Sequence, residues 1–274
     1  ETGDIVRLPP VRTSERADQK AVAIQAAQEV VRHGAMSTVG GFAPAAEFPI
    51  LFEDDFVLAI DKPAGVAVHG GSGVSFGVIE QLRQARPQAK LLELVHRLDR
   101  ETSGILLVAK KRSALKHVQD QFRERETGKT YLALVQGSWP EKLKVIDSSL
   151  HKYLLPDGER RVKVTTLDDP DGMRSITLVK VAERWDTCTL LEVTIKTGRT
   201  HQIRVHLASQ GHPIAGDDKY GDFEWNKQLA AHGLKRMFLH AWRLDFKHPL
   251  NGEPMRLQCE LPPELISWAK GDAP

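Results

Sequence analysis

The segment Glu93-Leu-Val-His-Arg-Leu-Asp-Arg-Glu-Thr-Ser-Gly104 constrains this chain more than any other. It sets one acid, Asp99, between two arginines, Arg97 and Arg100, with His96 just before them. The apolar run Ile105-Leu-Leu-Val-Ala109 follows at once and reads as a buried strand. Asp99 is therefore expected on a tight turn at the mouth of a packed sheet. Loops carried on a rigid scaffold are where reactive groups tend to be placed. Arginines near a carboxylate favour its ionised form, which is the nucleophilic one. An isolated Arg-x-Asp-Arg is more often a surface ion pair, so the rest of the chain has to decide.

At 274 residues and 41% hydrophobic composition, the chain suffices for one large domain or two modest ones. A net charge of +2 does not announce a nucleic-acid binder, so any basic surface must be local. One cluster exists: Lys110, Lys111, Arg112, Lys116, Arg123, Arg125 and Lys129. It suits a polyanion, but Asp120, Glu124 and Glu126 interleave with it, as on a solvated helix face. The two cysteines, Cys188 and Cys259, make no metal spacing and lie in apolar runs. Buried free thiols and a reducing, cytoplasmic compartment are expected. No apolar run approaches the ~18 residues of a membrane span, and no signal peptide is visible. Monomer is the default expectation.

Residues 15–33 read as an amphipathic helix stopped by Gly34, and 35–49 as a linker rich in Gly and Pro. The compact domain is expected from Ile50. Strands are expected at 56–60, with a continuation at 66–69, and at 105–109, 130–135, 176–181, 190–195, 237–246 and 255–261. Helices are expected from a Ser75 cap to Arg86, from Ser113 to Glu126, from a Thr200 cap to Ser209, and from Pro263. Strands without regular βαβ alternation predict an α+β fold with a largely antiparallel sheet.

Two further segments carry chemistry. Gly70-Gly-Ser-Gly73 lacks the Lys-Ser/Thr of a nucleotide loop and does not fit a dinucleotide fingerprint, so no nucleotide cofactor is expected. Thr197-Gly-Arg-Thr-His-Gln-Ile-Arg-Val-His206 opens a helix. His201 and His206 are five apart, on different faces, and no metal is expected. Arg204 sits one turn inside this helix, where it can meet a carboxylate from another loop or bond backbone carbonyls. Tyr131, at the start of a strand, is a core residue or a stacking platform for a base.

Taken together, these segments resemble the pseudouridine synthases, specifically the branch that modifies large-subunit ribosomal RNA. The stretches that carry the resemblance are Asp61-Lys-Pro-Ala-Gly65, His69-Gly-Gly-Ser-Gly73, His96–Gly104, Lys129-Thr-Tyr-Leu-Ala-Leu-Val135, Thr197–Arg204 and Gly211–Gly221, in that order. The resemblance implies a mixed, mostly antiparallel sheet flanked by helices over 50–274. It also implies that residues 1–12 are the tail of an S4-type RNA-binding domain, with the helix and linker of 13–49 between that tail and the catalytic domain. It implies conversion of uridine to pseudouridine in RNA without a cofactor. Asp99 then matches the reacting carboxylate, Arg204 its arginine partner, and Tyr131 the tyrosine that stacks on the target uracil. Ile203 matches the apolar residue on the other side of that base. Arg97 matches the arginine that fills the place of the flipped nucleotide, with His96 and Arg100 beside it as substrate-binding neighbours.

Two other readings compete with this one. A glycoside hydrolase would need a second carboxylate across the substrate from Asp99, with Glu93 and Glu101 nearest in sequence. A non-catalytic RNA-binding module would have no use for Asp99, Tyr131 and Arg204 together.

Overall fold

Strand β4 (Ser103–Ala109) is buried along its whole length. A computed structural model describes residues 43–71, 76–166 and 168–271. Expectations for 1–42, and for Ser75 as a cap, lie outside the described residues. The residues from Ala43 on form one compact unit. Residues 43–49, expected as linker, already engage it: Phe48 is buried in the core, and the Ala46 N–H donates to the Gln81 carbonyl at 3.4 Å.

The strands are β1 (Ile50–Glu53), β2 (Val57–Lys62), β3 (Glu93–Leu94), β4, β5 (Gly128–Gln136), β6 (Val145–Leu154), β7 (Arg160–Thr165), β8 (Met173–Arg184), β9 (Cys188–Ile195), β10 (Leu239–Lys247) and β11 (Pro254–Gln258). They form one sheet in the order β1-β2-β4-β10-β5-β9-β8-β6-β7, with β3 on β4 and β11 on β10. Every pairing is antiparallel except β4 with β10, which touch only through Ser103–His240 and Gly104–Ala241. Helices α1 (Val78–Ala85), α2 (Arg112–Glu124), α3 (Gln202–Ser209), α4 (Phe223–Ala231) and α5 (Pro263–Ile266) flank it. The α+β expectation with a mostly antiparallel sheet holds.

Period-two alternation divides the core between the two faces of the sheet. Leu106 and Val108 of β4 share a cluster with Tyr131 and Ala133 of β5 and with Ile203 and Leu207 of α3. Ile105, Leu107 and Ala109 point the other way, onto Ala114 and Val118 of α2. Tyr131 and Ile203 thus fall on the same face because of strand register. The basic run 110–129 belongs largely to α2 and its flanks. Lys110 pairs with Glu53, Arg123 with Asp120, and Lys111 lies over the Phe56 ring.

The segment 66–69 is not the expected strand. The carbonyls of Ala67 and Val68 accept the Val78 and Ile79 N–H groups at 2.9 and 3.1 Å, satisfying the free donors at the start of α1. Gly77 holds the N-cap position there, and the Glu80 carboxylate accepts the Gly77 and Gly70 N–H groups. Nor does Thr200 cap α3: His201 occupies the N-cap position, in the left-handed region at φ 52°. Hairpin β6–β7 and helix α4, capped by the Asp222 side chain, have no counterpart in the sequence reading.

At Gly104 strand β4 lies close against β10. Its φ is +103°, and a Cβ there would lie 2.3 Å from the Ala241 carbonyl oxygen. Gly104→Ala therefore forces both backbone strain and separation of β4 from β10. It is expected to cost about 2–4 kcal/mol in chemical denaturation; an unchanged midpoint would show that β10 yields without cost.

Candidate active site

Asp99 sits in the turn between β3 and β4, where its carbonyl accepts the Thr102 N–H at 3.1 Å. The turn is pinned from beneath by Lys62, the last residue of β2. Its side chain is fully buried, and its Nζ donates to the carbonyls of Pro63, Val66 and Arg100 at 2.7, 2.8 and 3.0 Å. The Gly65 N–H also donates to the Arg100 carbonyl, at 2.9 Å. Burial pulls the Lys62 ammonium down to about 7, while Glu101, Asp99 and Asp61 work to hold its charge. Three carbonyl acceptors match the three donors of an ammonium, and this geometry favours the charged form.

The Asp99 carboxylate meets a guanidinium from more than a hundred residues away. Arg204 Nη1 donates to Asp99 Oδ2 at 3.4 Å. This is not the arginine's main contact. Asp217, wholly buried, accepts from Nε at 2.8 Å and from Nη2 at 2.7 Å, and Asp218 accepts from Nη2 at 3.2 Å. The side chain of Arg204 is 3% exposed and that of Asp99 28%. Asp217 orients the guanidinium, and the remaining amino group reaches the more open Asp99. Burial acts to raise the Asp217 carboxyl. Arg204, helped by the Lys219 and Tyr220 N–H groups, overcomes this and holds it below the ordinary value. For Arg204, burial opposes the charge, but Asp217, Asp99 and Asp218 make it harder to deprotonate than a free arginine.

Asp99 opens onto a cleft of about 560 Å³ whose walls include Arg97, Arg100, Glu101, Arg199, His201 and Lys219. An inner recess of about 80 Å³ continues past Asp99 to Tyr131, Ile203 and Arg204. Tyr131 is buried, and its hydroxyl is harder to ionise than usual, first through burial and then through the Asp99 charge. It presents a neutral ring and hydroxyl. Ile203 is buried in the same recess, and Arg97 is exposed at the mouth. Arg100 also lines the cleft, paired with Glu101 at 2.7 Å.

His96 is not brought to the cleft, against the expectation that it binds substrate. Its Nε2 accepts the Leu107 N–H at 3.1 Å, and its ring stacks on Phe122 at 5.1 Å. Burial, with the nearby charge of Lys129, pushes it down to about 3, so it is a neutral acceptor that braces the turn against β4. The sequence reading also gave no role to Lys62, Asp217, His201 or Tyr220. Asp217-Asp218-Lys-Tyr220 lay inside a segment that had been noted, but nothing linear connects Asp217 to Arg204.

Of the two acids offered for a hydrolase, only Glu101 lines the cleft, and it is paired with Arg100. Glu93 pairs with Arg83 at 3.1 Å. Among the described residues one group, His151, Asp169 and Asp171, has ligand atoms within 4.8 Å of one another. It lies apart from the cleft lining, and Asp169 Oδ2 already accepts from Thr165 Oγ1 at 2.7 Å. No helix among the described residues is long and apolar enough to cross a membrane. Both cysteines are buried and free.

Comparison with known proteins adds an independent line. The family profile described as RNA pseudouridylate synthase matches residues 56–209. The ribosomal large subunit pseudouridine synthase C of Haemophilus influenzae is 49% identical over 261 residues, 95% of this chain and 75% of that protein. Its namesake in Escherichia coli K12 is 50% identical over 263 residues, 95% of this chain and 76% of that protein. Among solved structures, human RNA pseudouridylate synthase domain containing 4 superposes with a TM-score of 0.65 at 28% identity, covering 80% of this chain and 90% of that one.

The double grip on Arg204 has a direct consequence. Asp217→Asn leaves a buried guanidinium short of its main counter-charge and should lower stability by about 3 kcal/mol. Turnover should fall as well, because Arg204 is no longer held toward Asp99. Full activity at an unchanged denaturation midpoint would show that Asp218 and Asp99 suffice.

Proposed function

We propose, from the premise that this chain belongs to the RNA pseudouridylate synthase family, that it isomerises uridines of large-subunit ribosomal RNA with Asp99 as the reacting carboxylate. The observation that carries the assignment is the pairing of a half-open Asp99 with the buried Arg204, at the entrance to a recess lined by Tyr131 and Ile203.

The reaction is an isomerisation of RNA. The bond from N1 of the base to C1′ of the ribose breaks, the uracil turns, and a bond from C5 to C1′ forms. A proton leaves C5 and one arrives at N1, so no electrons or atoms are exchanged with a cofactor. A carboxylate suits this chemistry, either as a transient covalent partner or as a base. Arg204 fixes its position and supplies a matching charge in a partly desolvated setting.

Uridine inside a stacked RNA cannot reach the recess, so the base must be everted, at a cost of a few kcal/mol. Tyr131 offers an aromatic face for the everted ring, and Ile203 closes the recess as an apolar wall. Arg97, exposed at the mouth, has a planar guanidinium of the right size and charge to occupy the vacated stack. Arg100, Arg199 and Lys219 add positive charge along the cleft for the RNA backbone. RNA is the partner this surface fits. Buried free Cys188 and Cys259 fit a reducing cytoplasmic compartment.

Family membership makes pseudouridine, and not free uracil, the expected product. Asp99→Asn, nearly isosteric, is expected to fold and bind RNA as wild type and to retain less than about 5% of turnover. Pseudouridine mapping on large-subunit RNA from cells with and without the gene checks the substrate. Release of free uracil, or substantial conversion by Asp99→Asn, would overturn the assignment.

A further inference from the structure

His201 is one of two described non-glycine residues with positive φ, and the one that lines the cleft. A histidine held at φ 52° is a conformation the surroundings must impose. They do so through Gln202. Its Oε1 accepts from Thr197 Oγ1 at 2.7 Å and from the Arg199 N–H at 3.1 Å, and its Nε2 donates to the Ile176 carbonyl at 3.0 Å. The result is to aim the imidazole of His201 between two groups. On one side, Nδ1 lies 2.7 Å from the Tyr220 hydroxyl. On the other, Nε2 lies 4.0 Å from Asp99 Oδ2.

The groups around the pair favour one assignment of its protons. The Tyr220 oxygen already accepts the Val162 N–H from β7, at 3.0 Å. Its own proton has no acceptor except His201 Nδ1 among the described contacts. A Tyr220 O–H donated to Nδ1 leaves the neutral imidazole with its proton on Nε2, the nitrogen that faces Asp99. The geometry points to His201 as a positioning residue for the reaction: its Nε2–H is a second hydrogen-bond donor to Asp99, closing from 4.0 Å onto Oδ2 when the uridine enters, while Tyr220 sets the tautomer. Arg204 and His201 then hold Oδ2 from two directions and leave Oδ1 to the substrate.

The charged and titratable groups around the imidazole come from each neighbouring element. They are Asp99 on the β3–β4 turn, Arg204 on α3, Asp217, Asp218, Lys219 and Tyr220 on the loop after α3, and Arg161 on β7. Burial lowers the proton affinity of His201, Asp99 and Asp217 raise it, and Arg204 and Lys219 lower it, with a net fall below 6.5. A second proton, on Nδ1, removes the acceptor for Tyr220 and turns the donor into an imidazolium paired with Asp99. Turnover should therefore drop on the acid side as His201 charges.

This inference rests on Asp99 being the reacting carboxylate, and one assay separates the two. RNA carrying tritium at C5 of uridine releases label to water on conversion, which gives kcat and KM for the intact protein. His201→Gln keeps an N–H at the Nε2 position and should stay within about threefold of wild-type kcat. His201→Asn suits the left-handed backbone but is too short to reach Asp99; kcat should fall roughly tenfold with KM nearly unchanged. Tyr220→Phe, which frees the tautomer, should lower kcat less, again without raising KM. In both His201 variants the acid-side fall should move to lower pH than in wild type. Wild-type kcat in His201→Asn, or an unaltered acid-side fall in either His201 variant, would overturn the role of His201. Full activity in Asp99→Asn would instead overturn the Asp99 assignment.

Discussion

The buried guanidinium of Arg204 is the interaction on which the rest of the site depends. A charge with 3% side-chain exposure is stable only if its donors are satisfied and its charge is met. Asp217 does most of this through two hydrogen bonds, and the Asp99 contact at 3.4 Å is the looser extension of that pair. The division matters for function. A carboxylate that bore the full load of neutralising Arg204 would be tied up in a bidentate pair. Asp99 instead shares the arginine, keeps 28% of its side chain open, and can act on a substrate.

The turn that carries Asp99 is held by groups that do not touch the cleft. Lys62 gathers three backbone carbonyls beneath it, and His96 accepts a backbone N–H from β4 on the far side. Both are polar side chains in protein interior that replace the hydrogen bonds an irregular turn cannot make to itself. Their role explains why a turn so rich in charge sits directly on a strand with no exposed residue. Gly104, at the first step of that strand, allows β4 and β10 to approach and then diverge after two residue pairs.

Much of the fold was legible because its signals are local. The apolar run 105–109, the alternation at 176–181 and 190–195, and the proline at the start of α5 each specify an element from adjacent residues alone. The strand expected at 66–69 failed for a non-local reason: its carbonyls are claimed by α1 and by Lys62. The cap expected at Thr200 failed because Gln202 and Thr197 bind the turn from both sides and force His201 into the left-handed region. Hairpin β6–β7 is weakly patterned. Its outer residues face solvent, and its inner ones, Leu150 and Val162, pack on Val205 of α3.

By itself the sequence determined the charged turn at Asp99, the strand behind it, the α+β class, and, through ordered motifs, the family and the identities of Asp99, Tyr131, Ile203, Arg97 and Arg204 as residues to watch. It could not determine who meets whom. That Asp217 grips Arg204, that His201 turns its Nε2 toward Asp99, and that His96 leaves the cleft were decided only in three dimensions. The physical reason is that a buried ion pair or a hydrogen-bonded imidazole is fixed by the packing of distant elements, and periodicity within one element carries no record of the partner that folding brings to it.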